Sequence, residues 1–284
     1  MKLTGFTDEA SSDIDDQIRV TKELGWDYIS LRTVGTKNIH DISDADFDAV
    51  CEKLDQNDIK VAEFGTLIGN WSKSIHSNWS ITEDEVERCI ERMKVLNVRI
   101  ARIMSYSQEP WGEDQFVDER VKRLQKIVDY FESAGLTAVH ENCMNYGGFS
   151  ADHTLELVEK IPNLKLVFDT GNPIFQKDRS KSEPYPWQDS WEFYEKVKKN
   201  IAHIHVKDAI IKNDEPEYVF AGQGNGYVHE IIEDLFKSDY KGYVAIEPHM
   251  GKVFHEDFSS KNASKEYDIY KEYGIRFEKL IQSI

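Results

Sequence analysis

Eight short apolar runs recur along this chain, and between them lie stretches whose apolar residues fall at helical spacing; this alternation limits the possible folds more than any other feature. The runs centre near residues 3–6, 28–31, 61–64, 100–104, 138–141, 166–169, 203–206 and 244–247. In two intervening stretches the helical pattern ends at a glycine: Ile14, Ile18, Thr21 and Leu24 stop at Gly25, and Val121, Leu124, Ile127, Val128 and Phe131 stop before Gly135. Strand–helix alternation predicts a parallel sheet. Eight repeats predict its closure, so the expected fold class is α/β with a single (β/α)8 TIM barrel. No linker rich in Pro, Gly or Ser divides the chain, and one domain over residues 1–284 is expected.

Composition narrows the partners. Forty per cent of the residues are hydrophobic, with 14 Phe, 13 Tyr and 6 Trp, which is enough apolar material for a large core and argues against disorder. The formal net charge is −17 and lysines and arginines gather nowhere, so neither nucleic acid nor an anionic membrane is an expected partner. No run has the length of a signal-peptide core or a membrane span. The three cysteines, Cys51, Cys89 and Cys143, are odd in number and lack zinc or CxxC spacing, which points to a reducing compartment and a cytoplasmic protein.

Four of the runs end in residues suited to holding a metal ion: 136–141 closes on Glu141, 164–169 on Asp169, 201–205 on His205 and 243–247 on Glu247. In a closed parallel barrel the carboxyl ends of successive strands converge on one face, where such barrels keep their chemistry. Each residue alone has a plain explanation; Asp169, before Thr170 and Gly171, reads as a helix cap, and His205 as a core imidazole. Together they put three carboxylates beside one imidazole, an arrangement that needs protons or a cation. One divalent metal ion is expected, manganese first, with magnesium, cobalt and zinc also suited to three oxygens and one nitrogen with positions left open. A substrate with adjacent carbonyl and hydroxyl oxygens could fill those positions, and the ion would acidify the neighbouring C–H and stabilise an enediolate. Glu141 and Glu247 are then the catalytic acid and base. Placed on opposite faces of a small keto sugar, sugar phosphate or cyclitol they would epimerise it, whereas one carboxylate acting alone would interconvert ketose and aldose.

Several short segments resemble the sugar phosphate isomerase/epimerase family of xylose isomerase-like TIM barrels: His-Glu-Asn at 140–142, Phe-Asp-Thr-Gly-Asn at 168–172, His-Ile-His-Val-Lys-Asp at 203–208, Gly-Gln-Gly-Asn-Gly at 222–226 and Val-Ala-Ile-Glu-Pro at 244–248. The opening Gly-Phe-Thr-Asp-Glu is similar too, so the likeness spans nearly the whole chain. The resemblance implies that Glu141, Asp169, His205 and Glu247 hold the metal, that both glutamates handle protons, and that the protein pairs as a homodimer. The family includes ketose 3-epimerases, hydroxypyruvate isomerases, inosose and 3-dehydroshikimate dehydratases, and endonuclease IV. The alternative expectation is therefore a metal-dependent dehydratase of an inosose-like or dehydroshikimate-like substrate. Asn172 stands where relatives often carry His, and Ile211 where ketohexose epimerases carry an arginine; both departures argue against ketohexose 3-epimerase specificity.

Other residues are candidates for substrate contact. Lys207 and His203 share the strand face of His205, with His203 deeper; Lys207 would steady an oxyanion or hydroxyl unless it pairs with Asp208 or another acid. Asn172 keeps hydrogen-bonding capacity near the metal. Arg102 and Arg32, at strand ends, suit an anionic group or an internal salt bridge, and Trp71 and Trp111 on loops could wall a sugar. His140 should face away from the axis. The glycines at 222–226 lack the Lys-Ser/Thr of a phosphate loop and read as a tight turn.

Overall fold

The eight runs become eight parallel strands in a computed structural model that describes residues 1–250 and 263–284. The strands are β1 (Lys2–Gly5), β2 (Tyr28–Leu31), β3 (Lys60–Gly65), β4 (Ile100–Ile103), β5 (Thr137–Glu141), β6 (Lys165–Asp169), β7 (Ile201–Val206) and β8 (Tyr243–Ile246). They pair in the order β1-β8-β7-β6-β5-β4-β3-β2, and a parallel bridge between Phe6 and Ser30 joins the two ends into a barrel. Around it lie α1 (Ile14–Glu23), α2 (Asp44–Gln56), α3 (Trp79–Val95), α4 (Val117–Ser133), α5 (Ala151–Lys160), α6 (Ser190–Val197), α7 (Val228–Lys237) and α8 (Ala263–Gln282).

Local chemistry sets the helix ends. Asp13, Ser43, Asn78, Ser150 and Asp189 each accept a backbone N–H of the first turn of the helix they precede. Gly25 and Gly135 leave α1 and α4 at φ +73° and +72°, a conformation that a side chain would strain.

Strand periodicity then divides the side chains. Ile29 and Leu31, Ala101 and Ile103, Leu166 and Phe168, Ile204 and Val206, and Val244 and Ile246 are buried in the apolar layer between sheet and helices. Each large side chain so buried contributes about 1.5–3 kcal/mol. Their sequence neighbours Ser30, Arg102, Asp169, His203, His205 and Glu247 face the barrel axis instead.

Two register shifts interrupt the ladder. Ile29 and Ser30 pair with Val61 and Glu63, skipping Ala62, and Leu166 and Val167 pair with Ile201 and His203, skipping Ala202. Beyond β7 the chain rises into an antiparallel ribbon, Asp208–Lys212 against Glu215–Val219, on the face where the strands end. The glycine turn after the ribbon is held by Asp208, whose carboxylate accepts the N–H groups of Gly222, Gly224 and Gly226 at 2.9 Å each, and that of its neighbour Ala209. Among the described residues no helix is long and apolar enough to cross a membrane.

Candidate metal centre

Glu141 and Asp169 are the last residues of β5 and β6, His205 lies one residue from the end of β7, and Glu247 directly follows β8. All four side chains are buried, and each offers a ligand atom within 4.8 Å of the other three. Asp169 serves two of the roles its sequence suggests. Its Oδ1 accepts the N–H groups of Gly171 and Asn172 at 2.8 Å, as a cap does, while Oδ2 accepts no hydrogen bond. Glu141 Oε2 and Glu247 Oε2 are likewise buried without a hydrogen bond. The three carboxylates meet the imidazole of His205, whose Nδ1 is 3.4 Å from Glu141 Oε1 and 4.0 Å from Glu247 Oε2. Three buried carboxylates and one imidazole with ligand atoms this close form a donor set that fits a hard or borderline divalent ion.

Three permanent cations surround the carboxylates. Lys207 Nζ lies 3.1 Å from Glu247 Oε2, 3.3 Å from Asp169 Oδ2 and 3.2 Å from Asn172 Oδ1. Arg102 Nη1 is 3.2 Å from Glu141 Oε2, and its Nη2 donates to the Thr66 carbonyl. Arg32 donates to both oxygens of Asp8, to Glu9 Oε1 and to Glu247 Oε1. Across the axis, Glu63 of β3 accepts from His203 Nε2 at 2.6 Å and from His205 Nε2 at 3.1 Å.

The protonation states follow from this crowding. Burial works against ionisation of Glu247, but Lys207, His249 and Arg32 hold its carboxyl well below the usual range. Glu141 is lowered as well, because Arg102 and His205 outweigh its burial. Glu63 is lowered by its two histidines despite complete burial. Asp169 moves the other way, to about 7, through burial and the Glu247 and Glu141 charges. Glu9 rises to about 8, through burial and Glu247. Burial favours a neutral His205 ring, but the Glu63 and Glu141 carboxylates raise it to about 10.

Of the predicted substrate-contacting residues, Lys207, Asn172 and Arg102 adjoin the four carboxylate and imidazole groups directly; Asn172 Nδ2 donates to Glu141 Oε1 at 3.2 Å. Lys207 pairs with acids other than Asp208, which the glycine turn occupies: its partners are Glu247 and Asp169. Its stem packs on Gly171, where a Cβ would stand 2.8 Å from Lys207 Cγ. His203 lies behind His205, on Glu63. Trp71 is half-buried on the β3–α3 loop, and Trp111 packs its edge on Phe149 and Tyr185. His140 is buried against Ser105 and Gly147, outside the inner face. Sequence reasoning missed Glu63 and Glu9. A glutamate inside the apolar run Val-Ala-Glu-Phe was the available signal for the first; the second lies in the opening Thr-Asp-Glu, a short 3-10 turn that carries no strand pattern.

The family described as xylose isomerase-like TIM barrel matches residues 18–272. An uncharacterized protein of Methanocaldococcus jannaschii is 28% identical over 172 residues, 57% of this chain; the match spans about half of that relative, 53% of its length. The probable 3-DHS dehydratase of petrobactin synthesis from Bacillus anthracis superposes with a TM-score of 0.71 at 16% identity, covering 98% of this chain and 99% of its own. A D-tagatose 3-epimerase-like protein superposes with a TM-score of 0.66 at 22% identity, covering 99% and 100%. At these identities the superpositions show a shared fold.

Proposed function

The chain belongs to the xylose isomerase-like TIM barrel family, and from that premise we propose that it is a metal-dependent isomerase or epimerase of a small keto sugar, sugar phosphate or cyclitol. The observation that carries this reading is the convergence of the buried carboxylates of Glu141, Asp169 and Glu247 on His205, with a ligand atom of each within 4.8 Å of the others. These four residues would hold one divalent ion, manganese first. When bound, it supplies electrophilic polarisation of a substrate carbonyl, which acidifies the adjacent C–H.

The remaining work falls to side chains. Glu141 and Glu247 are ionised at neutral pH, the state a proton acceptor requires, and each is fixed in place, Glu141 by Arg102 and Asn172 and Glu247 by Arg32 and Lys207. One takes the proton from the carbon beside the carbonyl; for epimerisation the other must first take up a proton from water, which it gives to the opposite face of that carbon, whereas delivery of the abstracted proton by the same group to the former carbonyl carbon, with the hydroxyl proton passing to the old carbonyl oxygen, gives isomerisation. Lys207 presents a buried ammonium where negative charge would develop on substrate oxygen. Asn172 orients a hydroxyl, and Trp71 bounds the pocket. Cys51, Cys89 and Cys143 are all free thiols, which suits the proposed cytoplasmic setting.

The test is incubation of metal-loaded protein with a panel of ketoses, their phosphates and inososes in deuterated water. Deuterium at a carbon next to the carbonyl, in a product of the same composition, supports the proposal. Loss of water would assign the dehydratase reading, to which the likeness to the Bacillus anthracis dehydratase also points. Full exchange by Glu247→Gln with its metal retained would refute the two-glutamate mechanism.

A further inference from the structure

Below the four-residue centre the barrel interior carries a second polar layer that the proposed chemistry does not use. Thr4, Ser30, Glu63 and His203 are all fully buried. Thr4 Oγ1 lies 3.3 Å from Ser30 Oγ, Ser30 Oγ donates to Glu63 Oε1 at 2.9 Å, and His203 Nε2 donates to the same oxygen at 2.6 Å. Such layers are usually filled by branched aliphatic side chains. Buried ion pairs often give no more stability than an apolar filling of the same volume, so this cluster invites a search for a use.

The geometry points to that use. Glu63 comes from β3, diametrically across the barrel from β7, and both its oxygens face one nitrogen of His205, with Nε2 at 3.2 Å from Oε1 and 3.1 Å from Oε2. A carboxylate accepts and does not donate, so Nε2 carries a hydrogen toward Glu63, and Nδ1, turned toward Glu141 and Glu247, is the nitrogen whose proton an entering ion would displace. Phe6 packs edge-on against the ring, with centroids 4.9 Å apart. The backbone provides for the same contact. The two skipped residues of the ladder, Ala62 and Ala202, immediately precede Glu63 and His203, and bulges beside sites commonly re-aim the side chain that follows.

We propose that Glu63, braced by His203 and Ser30, is the positioning residue of the centre, selecting Nδ1 of His205 as the metal-binding nitrogen and strengthening it as a donor. This rests on the reading of Glu141, Asp169, His205 and Glu247 as the ligand set. Outer partners of metal-binding histidines act in this way, and their loss typically weakens metal affinity about 10–100-fold.

Three measurements on the full chain test it. Calorimetric titration of metal-stripped protein with Co²⁺ should show Glu63→Gln binding at least about tenfold more weakly than wild type. The visible spectrum of the Co²⁺ complex should shift in the variant, a change that a loss of stability alone does not produce. Wild-type protein labelled with ¹⁵N-histidine and loaded with Zn²⁺ should show His205 protonated at Nε2 and bound through Nδ1, a result independent of whether the variant folds. Affinity and spectrum unchanged in Glu63→Gln, or His205 bound through Nε2, would overturn the role of Glu63 and leave the centre standing. No binding of Co²⁺, Zn²⁺ or Mn²⁺ by the wild type would instead overturn the centre, and the role of Glu63 with it.

Discussion

Metal binding should expel protons, and the site tells how many. In the metal-free protein His205 holds its proton up to about pH 10 and Asp169 up to about pH 7, and both are proposed ligands. An entering ion must displace them, so about two protons per ion should be released near pH 6 and about one near pH 8.5. At roughly 1.4 kcal/mol per unit of pH, stripping His205 costs about 4 kcal/mol at pH 7 and about 1.4 kcal/mol at pH 9. The apparent affinity should therefore rise about 100-fold between pH 7 and pH 9, with a further factor of about two from Asp169. Glu9, raised to about 8 but not a ligand, keeps its own equilibrium and adds little. The assay is calorimetric titration with Mg²⁺ or Mn²⁺ in pairs of buffers differing in ionisation enthalpy, which counts the protons directly. Release of less than about half a proton at pH 6, or an affinity constant within about threefold from pH 7 to 9, would refute the ligand assignment.

Four further outcomes follow from the same contacts. In a chelator, the folded pKa values of Asp169, Glu9 and His205 lie above their unfolded values, so their stabilisation is lost as pH rises through about 7, 8 and 10, while that of the lowered Glu63, Glu141 and Glu247 is lost as pH falls below the ordinary carboxylate range. Urea melts of metal-free protein should show greatest stability on the acidic side of neutrality, and excess Mn²⁺ should restore stability at pH 8–9; a maximum above pH 8 without metal would contradict this. Arg32→Ala leaves Asp8, Glu9 and Glu247 without their shared guanidinium and should destabilise the metal-free protein by about 3–5 kcal/mol in urea melts. Asp208→Ala removes the acceptor for four backbone N–H groups, with an expected loss of about 1–3 kcal/mol and faster amide exchange confined to 209 and 222–226. Lys207→Met removes a cation 3.1–3.3 Å from two proposed ligands and should tighten divalent-ion binding by about tenfold or more while lowering kcat on any substrate found.

Much of this was legible in the chain because it rests on local periodicity. Apolar runs spaced by one helix, with Gly25 and Gly135 as stops, specify a parallel barrel with few alternatives, and residues closing four successive runs must then share a face. That much put Glu141, Asp169, His205 and Glu247 together before any coordinates. The alternation of a strand likewise sent Lys207 inward and His140 outward.

What periodicity cannot carry is contact across the barrel and the energy of crowding. Glu63 meets His205 only because β3 and β7 stand opposite one another and two skipped residues adjust the register, neither of which leaves a local mark. Arg32 reaches Asp8, Glu9 and Glu247 for the same reason: the first and last strands of the chain are neighbours only after closure. The division of labour between the two oxygens of Asp169 also depends on the neighbours that burial brings. Side-chain types and strand ends are local properties and are written in the sequence. Proton affinities, the choice of imidazole nitrogen and the pairing of each cation arise from charges brought within a few ångströms in a dry interior, and only the closed barrel creates that interior.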